Sequence, residues 1–335
     1  MMRYPAFAIR TAVAMLCAAL TACNGPNASA PQAITETSLP STPSISPSPA
    51  EIAANELGLV PVLMYHQLSS DPAGEYDQTP EEFRVELDRL YREGYRPVTM
   101  TQYLSGVIDL PAGTHAVLLT FDDSTTSQLR FTDDGAVAPD CAVGILQEFA
   151  TGHPGFAPVA TFYVNNQPFA GDARALPWLV AHGSEIGAHT ADHRNLASLG
   201  AEAVQREMVQ NLRAITAAVP GITVRTMALP LGVFPTDHAL AAKGTWDGTS
   251  YVFDAVLLVG ANPAPAPYGP IDPGAVPRIR SGRAEVPFDS AYWLDRLAAD
   301  PDHRYTSDGD PQRISFPRHL AGDLNPRWAG RANPY

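Results

Sequence analysis

Cysteine is scarce: the 335-residue chain has three, Cys17, Cys23 and Cys141. Two of them fall at the N-terminus, so the rest of the chain keeps a single thiol, which excludes a disulfide framework. Cys141 lies in "DCAVGILQEF" with no nucleophile signature around it, and reads as a small core residue. Positive charge is also short. Twenty-two Lys and Arg stand against 35 Asp and Glu, for a formal net charge of −13. A polyanion has to be met by basic side chains, so this balance argues against a nucleic-acid partner. There is no fixed-period repeat and no apolar run long enough to cross a bilayer as a helix, for which ~20 residues are needed.

What is present begins with an export signal. Arg3 and Arg10 stand around a short apolar run, and "AMLCAALTAC" follows. A basic start, a short apolar stretch and small residues before a cysteine make a secretory signal. "LTAC" resembles a bacterial lipobox, which places the signal at 1–22 and a lipid on Cys23; the alternative is an ordinary signal with a chance cysteine. Residues 23–52 are rich in Ser, Thr and Pro and nearly uncharged. Such a segment cannot bury enough surface to offset its ordering entropy, so it reads as a tether. The expected product is an exported domain, 53–335, anchored to the cell membrane through Cys23.

That domain alternates strand and helix signals. "LVPVLMYH" (59–66), "RPVTM", "HAVLLTF", "PVATFYV" (158–164), "SEIGAH", "TVRTMALP" and "YVFDAVLLV" read as strands. Between them "PEEFRVELDRLYR" follows Thr79, an N-cap, with Pro80 in first helical position and Glu82 completing a capping box. "AVGILQEFA", "LPWLVAHG" and "EAVQREMVQNLRAI" are further helices, the last with Val204, Met208, Leu212 and Ile215 on one face. Repeated strand–helix units imply an α/β fold with a parallel sheet, and their number implies a closed or nearly closed barrel. In such barrels chemistry collects on the loops after the strands. Asp122, Asp123, His189 and Pro230 all fall there. Two stretches, 124–140 and the Pro-rich 261–277, are expected at the barrel mouth, where they shape a glycan groove or cover an edge. The four tryptophans, Trp178, Trp246, Trp293 and Trp328, are expected in the core.

The run "LLTFDDS" ends a buried strand on two adjacent carboxylates. "GAHTADH" places His189 and His193 four apart. With one carboxylate they could make a two-His, one-carboxylate metal site with open positions. "TFDD", "HGSEIGAHTADH" and "ALPLG" in this order resemble the polysaccharide deacetylases of carbohydrate esterase family four, over about residues 55–320. The resemblance implies a distorted (β/α) barrel of the polysaccharide deacetylase type. It also implies a divalent metal, zinc first, with cobalt, nickel or manganese as alternatives. Position by position, Asp122 matches the catalytic base, and Asp123, His189 and His193 match the metal ligands. One acid binds the cation while the other stays free to take a proton from water.

The chain departs from the family pattern in two places. Ala228 stands where many members have an arginine that orients the base, and Arg278 in "VPRIR" is the candidate substitute. Leu231 stands where many have tyrosine; that position offers its backbone N–H to the oxyanion, so leucine can serve. A late Leu-x-His motif is missing, His319 being a poor match. "VLMYHQL" resembles a circularly permuted branch, typified by exported poly-N-acetylglucosamine deacetylases, in which the histidine-bearing strand comes first and His66 would be the general acid. The expected activity is removal of acetyl groups from an N-acetylated envelope or extracellular polysaccharide. The alternatives are an O-acetyl esterase on xylan or capsule, and a non-catalytic glycan-binding lipoprotein.

Overall fold

Short apolar runs buried on both faces alternate with amphipathic ones, and the chain folds accordingly into strands wrapped by helices. The computed structural model describes residues 47–281 and 286–335. The export signal, Cys23 and most of the tether lie outside the described residues. The strands are β1 (Val62–Tyr65), β2 (Tyr95–Pro97), β3 (His115–Asp122), β4 (Thr161–Val164), β5 (Glu185–Ala188), β6 (Thr226–Ala228), β7 (Lys243–Trp246), β8 (Thr249–Val252), β9 (Ala255–Leu257), β10 (Ile279–Arg280), β11 (Ile314–Phe316) and β12 (Ala332–Pro334). The helices are α1 (Pro80–Arg92), α2 (Met100–Ser105), α3 (Ala142–Gly152), α4 (Pro168–Gly171), α5 (Ala175–Ala181), α6 (Ala201–Ala218), α7 (Ala239–Ala242) and α8 (Ser290–Ala299).

An eight-stranded sheet runs β10-β1-β3-β4-β5-β6-β9, with β2 paired to the first half of β3. Every pairing in it is parallel. A bridge between Leu257 and Val276 carries β9 back to the segment that leads into β10, so the sheet curls into a distorted barrel. All eight residues of β3 are buried. Its side chains alternate between two cores. Val117, Leu119 and Phe121 pack outward among residues of α1, α3, α5 and α6, whereas Ala116 and Leu118 point into the barrel with Val62, Tyr163, Ala228 and Leu257. The period of two places Thr120 and Asp122 on the interior side as well.

Helix α1 shows how local chemistry sets an element's bounds. Thr79 Oγ1 accepts the Glu82 N–H at 3.1 Å while the Glu82 carboxylate accepts the Thr79 N–H at 2.7 Å. Losing such a cap costs about 1 kcal/mol. Phe83, Leu87 and Leu90 then fill the buried face. Gly94 follows the last turn at φ +83°, a conformation that glycine adopts without penalty.

Three expectations are corrected. The run 251–259 is not one strand. Its first part is β8, paired antiparallel with β7 through Asp247 and Gly248, both left-handed as a tight hairpin requires, and only Ala255–Leu257 joins the main sheet. The 261–277 loop leaves the mouth: Ala264 pairs with Val60, just before β1 begins. The four tryptophans are half-buried at the edges of the cores, none of them fully inside.

Candidate active site

The sheet ends its strands on polar groups at one rim. β3 delivers Asp122 on its interior face, 1% exposed. The chain then turns sharply, with Asp123 at φ +73° and Ser124 at φ +50°. This turn lets two neighbouring carboxylates, which a strand would send to opposite faces, both address one pocket. Non-glycine residues in this region cost on the order of 1–3 kcal/mol each and gather at functional sites. Thr190, His193 and Leu231 at the same rim are left-handed too.

Arg278 reaches Asp122 from the segment before β10. It is fully buried, and its guanidinium makes a fork with the carboxylate, Nη1 to Oδ1 and Nη2 to Oδ2, both at 2.7 Å. Its Nε donates to the Leu258 carbonyl at 2.7 Å and Nη1 also to Thr120 Oγ1 at 3.2 Å. Burial alone would raise the Asp122 carboxyl, but Arg278 and His189 together hold it well below the usual carboxylate range. Ala228 therefore need not be an arginine for the base to be oriented. Its own role is in the backbone, since its carbonyl accepts from His189 Nδ1 at 2.8 Å.

That bond fixes the imidazole. A carbonyl can only accept, so Nδ1 carries a proton and Nε2 is the nitrogen left to bind a cation through its lone pair; without one, burial is outweighed by Asp122 and Asp123, which raise the pKa of the ring. Nε2 is buried and has no hydrogen-bond partner. It lies 3.4 Å from Asp123 Oδ1 and 3.9 Å from Asp122 Oδ2, and His193 Nε2 is 3.5 Å from the same Asp123 oxygen. Asp123, His189 and His193 offer one donor atom each, all within 4.8 Å of one another. Donors bound to zinc at 2.0–2.1 Å in tetrahedral array stand about 3.3 Å apart. An orphaned buried nitrogen, a convergent carboxylate and a second imidazole thus fit a divalent cation in both spacing and chemistry.

His66 directly follows β1 and lines the same pocket, a cavity of about 220 Å³ shared by Tyr76, Asp122, Asp123, His189, His193, Leu229, Leu231 and Val259. Its Nδ1 is buried without a partner, so no carbonyl satisfies it. Burial holds its pKa below the ordinary histidine value, against the pull of Asp122 and Asp123. The Tyr76 ring packs on it at 4.8 Å. Leu231, left-handed and 59% exposed, stands at the pocket's edge. His319 is exposed, and neither it nor any of the four tryptophans lines this pocket.

Residues 109–245 match the polysaccharide deacetylase family model. The matched stretch contains Asp122, Asp123, His189, His193 and Leu231; His66 and Arg278 lie outside it. Among solved structures, a Streptococcus pyogenes deacetylase in complex with acetate superposes with TM-score 0.50 at 19% identity, over 66% of this chain and 92% of that one. A polysaccharide deacetylase from Bacillus cereus does so with TM-score 0.53 at 18% identity, over 72% and 68%. The fold is the distorted (β/α) barrel of the polysaccharide deacetylases. Chitooligosaccharide deacetylases from Sinorhizobium fredii and a Bradyrhizobium strain are 29% and 30% identical over 135 and 126 residues, 40% and 38% of this chain. The chain spans about half the length of these curated relatives, 55% and 50%.

Several residues of the deacetylase-like rim escaped the sequence reading. Gln128, in the 124–140 stretch, is fully buried and donates to the carbonyls of both His66 and Asp122, tying the two strand ends together. Tyr76 and Val259 line the pocket from loops with no motif to flag them. A buried polar residue inside a stretch expected to be an exposed loop leaves no pattern in one sequence.

Proposed function

We propose that this chain is an exported, lipid-anchored, metal-dependent deacetylase that removes acetyl groups from an N-acetylated envelope or extracellular polysaccharide. The observation that carries the reading is one pocket holding three convergent metal-donor side chains beside a carboxylate that takes no part in them. Asp123, His189 and His193 would hold the cation, zinc by preference and cobalt, nickel or manganese otherwise. When bound there, the cation supplies Lewis acidity to the acetyl carbonyl and to the attacking water.

The chain's own groups divide the remaining work. Asp122 takes the water's proton at Oδ2, the oxygen that faces His189. Arg278 holds that carboxylate ionised and in one orientation, so no reorganisation is needed when the proton arrives. The Leu231 N–H donates to the oxyanion. His66, at the strand end next to that of Asp122, gives a proton to the departing nitrogen. An amine leaves poorly unless protonated as the bond breaks, which is why an acid is needed as well as a base. His66 comes on the first strand of the barrel, the order of the circularly permuted branch. The products are acetate and an amino sugar.

Acetate release from N-acetylglucosamine oligomers, acetylated xylan and an activated aryl acetate tests this. The oligomers and the aryl ester should both be hydrolysed. Activity on xylan without activity on the oligomers would make the chain an O-acetyl esterase; no acetate from any of the three, with metal bound, would make it a glycan-binding protein. His66→Ala should slow the oligomers by roughly 10²–10⁴ and the aryl acetate far less. Equal loss on both substrates would remove His66 from the role of acid.

A further inference from the structure

Two of the residues between and including the paired histidines sit where L-residues rarely sit. Thr190 has φ +64° and His193 φ +49°. Thr190 is β-branched and fully buried, the combination for which this conformation is least tolerated. Such backbone persists only where its surroundings over-determine it. The surroundings here are α6 and the end of β4. Asn211 Oδ1 accepts the His189 N–H at 3.1 Å, and its Nδ2 donates to the Val164 carbonyl at 2.9 Å. One turn earlier, Glu207 Oε2 accepts the Asp192 N–H at 2.9 Å and its main-chain carbonyl accepts the Ala191 N–H at 3.2 Å. Just after β4, Asn165 Nδ2 donates to the His189 carbonyl at 2.7 Å and the Thr190 carbonyl at 3.3 Å.

Glu207 and Asn211 are buried, 2% and 0% exposed, on a face otherwise built of Val204, Met208 and Ile215. A polar pair on an apolar helix face is costly unless its bonds are needed. Every side-chain bond recorded for the pair goes to main chain that carries or abuts His189 and Asp192.

We propose that Glu207 and Asn211 are positioning residues: together they clamp the 189–193 segment in the strained form in which His189 and His193 converge on Asp123. The proposal rests on reading those three residues as metal ligands. Neither clamp residue touches the metal position; both act through the main chain, as supports of metal ligands do.

Zinc affinity, measured by competition with a chromophoric chelator on the full domain, tests it, alongside hydrogen exchange of the Asp192 amide in metal-free protein. Glu207→Ala and Asn211→Ala should each weaken zinc about 10–100-fold. Glu207→Ala should also speed Asp192 exchange without any metal present. Glu207→Gln, which keeps an oxygen for the Asp192 N–H, should restore most of the affinity. Met208→Ala, fully buried on the same helix, should lower Tm but leave zinc affinity unchanged, which separates positioning from general loosening. If Glu207→Ala does not fold, Asn211→Ala against Met208→Ala makes the same comparison. Wild-type zinc affinity in the clamp variants, or an equal loss in Met208→Ala, would overturn the clamp. Failure of the wild type to bind zinc, cobalt, nickel or manganese would instead overturn the metal reading beneath it.

Discussion

Replacing Arg278 by methionine should be among the most damaging single changes to this domain, and its cost can be apportioned. The guanidinium is fully buried and forks onto a carboxylate that is 1% exposed. Methionine fills similar space but leaves Asp122 charged, desolvated and unpaired. Removing one partner of a buried ion pair costs about 3–5 kcal/mol. The Leu258 carbonyl also loses its donor, adding about 1 kcal/mol. Arg278→Met should therefore destabilise the metal-free protein by roughly 4–6 kcal/mol. Adding Asp122→Leu removes the orphaned charge, so the double variant should be clearly more stable than Arg278→Met alone, and a coupling energy of at least ~2 kcal/mol should appear in the double-mutant cycle. The assay is urea unfolding of all four proteins in chelator at one pH. Costs that add to within about 0.5 kcal/mol would mean that the pair carries no interaction energy, and the account of how Asp122 is held would be wrong.

The site, the buried acids and the N-terminal sequence give further expectations. Asp122→Asn keeps shape and removes the base, so metal should stay bound while turnover falls by roughly 10²–10⁴; loss of metal in Asp122→Asn but not in Asp123→Asn would reverse the two roles. Burial raises Glu56 to about 8, against bonds from the Ser315 N–H and the Tyr305 hydroxyl and with the nearby Asp308 charge adding to the rise. The folded state then holds a proton that the unfolded chain releases near 4.5, so stability should fall as pH rises from about 4.5 to 8. His115, pushed down to about 4 by burial and by Arg304, acts in the opposite direction below its ordinary value of 6.5 and offsets Glu56 there. Between pH 6.5 and 8 the Glu56 slope, about 1.4 kcal/mol per unit at most, should therefore show in urea unfolding and be lost in Glu56→Gln, leaving what His189 and Glu86, also raised, contribute. Cys23→Ser should release the protein from membranes in a host that processes lipoproteins, and fractionation of the two forms side by side checks it.

The parts of the molecule legible in one sequence are those where a local pattern has a local cause. The Thr79–Glu82 box, the apolar face of α1 and the buried run of β3 all fall where the pattern puts them, because capping and side-chain period act over a few residues. The run 251–259 misled because an apolar stretch looks the same whether it is one strand or two. Only the Asp247–Gly248 turn upstream, which lets β8 fold back on β7, separates the cases. The 261–277 loop carries no signal for its distant partner Val60, 204 residues before Ala264. In the candidate site, residues within motifs could be named in advance, because a carboxylate doublet and a histidine pair are chemically conspicuous. Their supports could not. Glu207 and Asn211 are polar breaks in the buried face of α6 that do not reveal what they bind, and Gln128 looks like loop. Each is recognisable only once the main-chain groups it satisfies are in view.

The proposed function stands or falls on Asp123, His189 and His193 forming one metal centre. Its most direct test is the metal content of purified wild type and of His189→Ala after loading with zinc and removal of the excess. One zinc per wild-type chain is expected, and none above background in His189→Ala, with both proteins folded. Full zinc occupancy in folded His189→Ala would contradict it.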